Sequence, residues 1–150
     1  MNETAFRMLR MVSAGFCCTQ VMMKLALDEE EKENEDLIRA VSGLCKGIGG
    51  RQKTCGVITG GIGILGLYAA KGKETEYARE DYGSMVEEYM TWFENEFGSM
   101  ECVDIIGVYS FSDDKSNMNY NIKCGDIVLK SYEKVREILR DHDYEFGSRE

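Results

Sequence analysis

The chain has 150 residues, of which 43% are hydrophobic, and its formal net charge is −9. A chain of this size and composition is expected to fold around a core of its own, without help from disulfides or metals. The acidic balance argues against a nucleic-acid partner, because nucleic-acid-binding proteins concentrate lysine and arginine on one face.

Apolar residues recur at helical spacing along most of the chain, and the sequence contains no proline to interrupt helices. Helices are predicted over residues 4–27, 33–45, from Cys55 onward, over 82–97, over the short piece 101–106 and from Cys124 onward. We expect Gly98 to end the aromatic-rich fourth helix and Gly107 to close the short piece. Residues 113–121 read as a polar loop, and the tail from His142 as frayed. The sequence thus predicts an all-α fold, a single-domain compact bundle of about five helices over residues 1–150.

The stretch 47–70 combines a glycine-rich loop with an apolar helix, and Cys55 lies at their junction. Thr54 is the predicted N-cap of that helix. Gly56, Gly60 and Gly63 recur on one side of it and leave a face of bare backbone. Such a face lets a second helix approach closely, either within the chain or across a homodimer.

The six cysteines are more numerous than packing alone explains. Cys55 and Cys124 fall in the first turn of a predicted helix, where backbone N–H groups and the helix dipole stabilise a thiolate. Cys18 lies on the apolar stripe of the first helix, whereas Cys17 lies off it. Thiolates at several helix starts could bind a metal or an iron–sulfur cluster, or two could exchange as a dithiol/disulfide pair. For Cys17 and Cys45, a small buried hydrophobe is a sufficient interpretation.

Four segments resemble the C_GCAxxG_C_C family, which is named for its cysteine pattern. Residues 15–20, GFCCTQ, are similar to the first family motif, and residues 49–61, GGRQKTCGVITGG, resemble its cysteine–glycine core. Residues 97–102, FGSMEC, with 105–107, are similar to the third motif, and Cys124 fits the fourth. Cys17 departs from the asparagine usual at its position, which leaves open which of two adjacent sulfurs is used.

The resemblance implies an all-helical fold and a redox role, with an iron–sulfur cluster as the candidate cofactor. The expected cluster or metal ligands are Cys18, Cys55, Cys102 and Cys124. The first functional hypothesis is therefore electron transfer through a cysteine-ligated iron–sulfur cluster. The alternative is a metal-free thiol/disulfide redox protein, in which Cys55 is the reactive thiolate and Cys18 or Cys102 resolves the disulfide. A third is a non-catalytic, partner-binding helical protein with inert cysteines or a structural zinc.

Cysteine use also bears on the compartment. The run 8–23 has no secretory n-region or cleavage site, and the apolar run 57–70 is shorter than the roughly 20 residues that a bilayer crossing requires. We therefore predict a cytoplasmic protein with no membrane partner, which exchanges electrons with a redox partner protein that the sequence does not name. Whether it is an oxidoreductase stays open.

Overall fold

The computed structural model describes residues 2–106 and 114–149, and the side chains of 2–105 and 124–149. Within these residues the chain forms seven α-helices, one 3-10 helix and an isolated bridge between Thr54 and Glu101. The helices are α1 Glu3–Ser13, α2 Cys18–Glu29, α3 Glu35–Val41 followed by the 3-10 helix Ser42–Leu44, α4 Gly56–Ala69, α5 Tyr82–Phe97, α6 Cys102–Ile106 and α7 Asp114–Asp141. The all-α prediction is confirmed, although the helices outnumber the expected five.

The single helix predicted over residues 4–27 is in fact two helices. Gly15 has a φ of 98° and lies between α1 and α2, a backbone conformation that glycine adopts without a steric cost. Cys17 is the N-cap of α2, and its N–H donates to Oε1 of Gln20 at 3.2 Å. Both helices bury apolar residues, so the apolar stripe continues across the break and does not reveal it.

Helix α4 packs its glycine face against α2. A methyl group on Gly60 would lie 2.8 Å from Cβ of Met22, and one on Gly63 would lie 2.8 Å from Sδ of Met23. The face therefore holds a neighbouring helix as the sequence predicts, and that neighbour is α2 of the same chain. The homodimer through this helix stays a prediction.

Helix α5 agrees with its predicted range. Met85, Tyr89 and Phe93 are buried along one side of it, and Gly98 caps its end with a φ of 83°, in the left-handed region. None of the helices in the described ranges has both the length and the apolar character that a membrane crossing needs.

Helix α7 begins at Asp114 rather than near Cys124. The predicted polar loop is therefore helical from residue 114 onward, while residue 113 and Gly107 lie outside the described residues. Apolar periodicity detects burial against a core, so it does not detect a helical segment of polar sequence.

The tail after α7 is packed rather than frayed. The Phe146 ring stacks on Tyr68 with centroids 5.6 Å apart, and the Tyr144 hydroxyl donates to Asp81 at 2.7 Å. Nε of Arg149 lies 2.7 Å from a carboxylate oxygen of Glu30. The aromatic rings of the tail and this ion pair hold the tail against α4, the start of α5 and the end of α2. The prediction of a frayed tail, which rested on proximity to the terminus, was therefore wrong.

Candidate redox site

Cys55 is held at the start of α4 by a short antiparallel bridge. The N–H of Cys55 donates to the carbonyl of Met100 at 2.8 Å, and the N–H of Cys102 donates to the carbonyl of Lys53 at 2.6 Å. Thr54 lies in this bridge and Cys55 itself is the N-cap, so the prediction of Thr54 as the cap was wrong. The bridge brings Cys55 and Cys102 together across nearly fifty residues of chain.

Cys18 reaches the same place from the first residue of α2. A methyl group on Gly56, the first residue of α4, would lie only 2.6 Å from Sγ of Cys18. The Thr19 hydroxyl donates to the carbonyl of Gly56 at 2.9 Å. This hydrogen bond and the missing side chain of Gly56 hold the start of α2 directly against the start of α4.

Cys18, Cys55 and Cys102 form what we call the inner cysteine site. All three are buried, with 8%, 4% and 3% of their surface exposed. The pKa of Cys55 is raised to about 12; burial is the largest cause, the neighbouring Cys18 and Cys102 also raise it, and the N–H groups of Val57 and Ile58 oppose the change. Burial, and then Cys18, raises the pKa of Cys102 to about 11. Cys18 is thus close enough to both other thiols to affect the ionisation of Cys55 and Cys102.

Burial therefore opposes the predicted thiolate at Cys55 in the metal-free protein. Its position at a helix start does provide the expected N–H groups, but their effect on the pKa is smaller than that of burial. The helix-start interpretation also fails for Cys124, which lies inside α7 rather than in its first turn. Cys124 instead lines a cavity of about 200 Å³ together with Cys17, Cys18 and Lys46.

The motifs of the sequence single out Cys18, Cys55, Cys102 and Cys124, and a comparison with known families identifies the family of the chain. A family model described as "Putative redox-active protein (C_GCAxxG_C_C)" matches residues 16–138. The chain belongs to this family. Searches of curated proteins and of solved structures found no match. The family assignment supports a redox role for this C_GCAxxG_C_C protein, at the level of the family.

The four expected ligands of a metal or cluster are all described, so their arrangement can be compared with what a metal needs. In chemistry the set is suitable, since thiolates ligate iron–sulfur clusters. The positions of the four sulfurs do not form a metal site, because among the described side chains no group of three or more His, Cys, Asp or Glu residues could hold a metal ion as placed. The structure gathers Cys18, Cys55 and Cys102 and places Cys124 on the cavity that Cys18 also lines, without forming a ligand cage.

The structure also contains a disulfide that the sequence did not predict. Cys17 and Cys45, 28 residues apart, are joined with their Cα atoms 6.0 Å from one another. We call this pair the outer disulfide. Cys17 lies off the apolar stripe of its helix, which was a signal against a packing role, but the spacing of the two cysteines names no partner. This bond corrects the interpretation of Cys17 and Cys45 as small buried hydrophobes.

We expect Cys55 of the reduced, metal-free C_GCAxxG_C_C protein to remain a thiol well above neutral pH. An acid with a raised pKa in the folded state keeps its proton where the unfolded chain loses it, so the free energy of unfolding should fall as the pH rises from about 9 toward 12. The measurement is a pH titration of the ultraviolet absorbance of thiolate, with the Cys55→Ser protein subtracted. A difference signal with its midpoint below pH ~9, the value for an unburied cysteine, would contradict the prediction.

Proposed function

We propose that this C_GCAxxG_C_C protein is a thiol-based redox protein whose centre is the inner cysteine site. The supporting observation is that Cys18, Cys55 and Cys102 converge from three separate parts of the chain. A dithiol/disulfide pair requires only two neighbouring sulfurs, whereas a cluster requires several around one point. The dithiol chemistry therefore needs less from this arrangement of cysteines than the iron–sulfur cluster does.

Access assigns the roles within the site. Cys18 lines the cavity of about 200 Å³, whereas Cys55 and Cys102 do not. Cys18 is therefore the sulfur that meets a partner, and Cys55 or Cys102 resolves the intermediate. This reverses the predicted order, in which Cys55 was the attacking thiolate.

The reaction is thiol–disulfide exchange with a partner disulfide. The Cys18 thiolate attacks one partner sulfur, a Cys18–partner bond forms, and the other partner sulfur leaves as a thiol. Cys55 or Cys102 then attacks Sγ of Cys18, which releases the second partner thiol and closes a disulfide within the site. Two electrons and two protons pass from the inner cysteine site to the partner.

The predicted iron–sulfur cluster is the second candidate. It is favoured by the all-cysteine donor set and by the position of Cys124 on the cavity that Cys18 also lines. Cys18, Cys55, Cys102 and Cys124 would hold the cluster, which when bound would supply one-electron transfer. Their sulfurs would first have to turn toward a common point, because no such group is closed in the described side chains.

Anaerobic purification followed by iron, sulfide and zinc analysis tests both candidates. The protein should carry Cys17→Ser and Cys45→Ser, so that only the inner cysteine site and Cys124 contribute thiols. We expect a colourless protein that loses two thiols on mild oxidation, with peptide mapping placing the new disulfide between Cys18 and Cys55 or Cys102. Cys124→Ser is the matched control and should leave this loss unchanged.

Other outcomes reject the proposal in distinguishable ways. Bound iron and sulfide with visible absorption bands that disappear in the Cys55→Ser protein would replace it by the cluster. Zinc without any oxidation of thiols would indicate a structural site, as in the predicted non-catalytic alternative. A metal-free protein whose thiol count does not change on oxidation would exclude both redox chemistries.

A further inference from the structure

The outer disulfide joins the start of α2 to the segment that follows the 3-10 helix. Its two sulfurs differ in access: Cys45 is buried, with 5% of its surface exposed, while Cys17 is only partly buried. Cys17 also lines the cavity of about 200 Å³, and Cys45 does not. A reagent in this cavity can therefore reach the disulfide at Cys17.

The surroundings of Cys17 favour chemistry at its sulfur. Cys17 is the N-cap of the 12-residue helix α2, where the helix dipole and N–H groups stabilise a sulfur anion. Lys46 lines the same cavity. An incoming donor thiolate is an anion, so its approach to Cys17 is favoured at this position, and so is the later release of Cys17 as a thiolate.

We propose that the outer disulfide is a second redox site, at which an external dithiol reduces the Cys17–Cys45 pair. The donor thiolate attacks Sγ of Cys17, a donor–Cys17 bond forms, and Cys45 leaves and takes up a proton. The second thiol of the donor then attacks the donor sulfur that is bonded to Cys17. Cys17 is released and takes up a proton, and the donor leaves with a disulfide between its two sulfurs. Two electrons and two protons pass from the donor to Cys17 and Cys45. None of the cysteines of the inner cysteine site takes part, so this proposal does not depend on the proposed function.

The segment after Cys45 connects this site with the inner one. Lys46, Ile48 and Gln52 have φ values of 54°, 63° and 56°, a left-handed conformation that is costly for residues other than glycine. The N–H of Lys53 donates to the carbonyl of Gly47 at 2.8 Å, and the carbonyl of Lys53 accepts from Cys102 at 2.6 Å. The outer disulfide fixes one end of this loop, and Lys53 at the other end is hydrogen-bonded to Cys102. Reduction of the disulfide should therefore loosen the loop.

The test is graded reduction of the folded, full-length protein with dithiothreitol, alkylation of the thiols formed, and peptide mapping. We expect Cys17 and Cys45 to become labelled together while the far-ultraviolet circular dichroism retains its helical signal. Amide hydrogen exchange at Lys53 should then become faster. A small aromatic disulfide should react with Cys17 in the Cys45→Ser protein on the order of tenfold faster than with Cys45 in the Cys17→Ser protein.

A disulfide that resists dithiothreitol until denaturant is added would overturn the proposal and mark the pair as structural. Equal rates of reaction with the aromatic disulfide, at Cys17 in the Cys45→Ser protein and at Cys45 in the Cys17→Ser protein, would overturn the assigned point of attack. The same reduction in the Cys55→Ser protein distinguishes the two proposals. There the outer disulfide should still be reduced by dithiothreitol, even where the inner dithiol has been lost.

Discussion

Replacing Gly56 by alanine is expected to abolish oxidation of the inner dithiol, although no cysteine is changed. The added methyl group would lie 2.6 Å from Sγ of Cys18, 2.5 Å from Oγ1 of Thr19 and 3.2 Å from the carbonyl oxygen of Leu44. Contacts this short cannot persist, so either the Cys18 and Thr19 side chains turn away from residue 56, or α4 moves away from α2 and from the 3-10 helix that contains Leu44. Both changes displace Sγ of Cys18 from its place beside Cys55 and disturb the hydrogen bond from Thr19 to Gly56.

Two measurements on the Gly56→Ala protein check this. The loss of two thiols on mild oxidation should disappear, and urea unfolding should give a free energy lower by about 1–3 kcal/mol, typical of an overpacked contact. Gly83→Ala in α5 is the matched control. Nothing lies within 4 Å of a methyl group there, so it should retain the thiol chemistry and be as stable as the parent or slightly more so. If Gly56→Ala were oxidised like the parent, close contact between α2 and α4 would not be what assembles the inner cysteine site.

The second large effect is expected from Gly61→Ala, which should destabilise the protein by about 3 kcal/mol or more. The added methyl group would overlap the ring of Tyr89, which is completely buried. That ring has little freedom to move away, because its hydroxyl donates to the carbonyl of Val57 at 2.8 Å and Phe93 lies against it in an edge contact. The measurement is urea unfolding of the reduced protein.

A double-variant cycle gives this prediction its control. Tyr89→Leu leaves a smaller side chain beside residue 61, so Gly61→Ala should cost less in the Tyr89→Leu protein than in the parent. Additive losses would mean that the alanine acts on the α4 backbone itself and not through the tyrosine ring.

The sequence by itself determined the all-α class, the range of α5 and its end at Gly98, and the packing face of Gly56, Gly60 and Gly63. These features follow from local chemistry: helical spacing of apolar residues, the left-handed freedom of glycine and the absence of a side chain. The family itself was also identified from the sequence, because its motifs are local patterns of residues.

Only the tertiary structure decided how the cysteines are grouped. Cys18 meets Cys55 and Cys102 because α2 lies on the glycine face of α4 and because a bridge pairs Thr54 with Glu101. Cys17 bonds to Cys45 through proximity that no spacing rule encodes. Whether the pKa of Cys55 shifts up or down likewise depends on two opposing effects. The N–H groups at the start of a helix lower it and can be expected from the sequence, whereas burial raises it and cannot. Burial and long-range contact are properties of the assembled chain, which is why the sequence predicted the elements and the folded structure decided the chemistry.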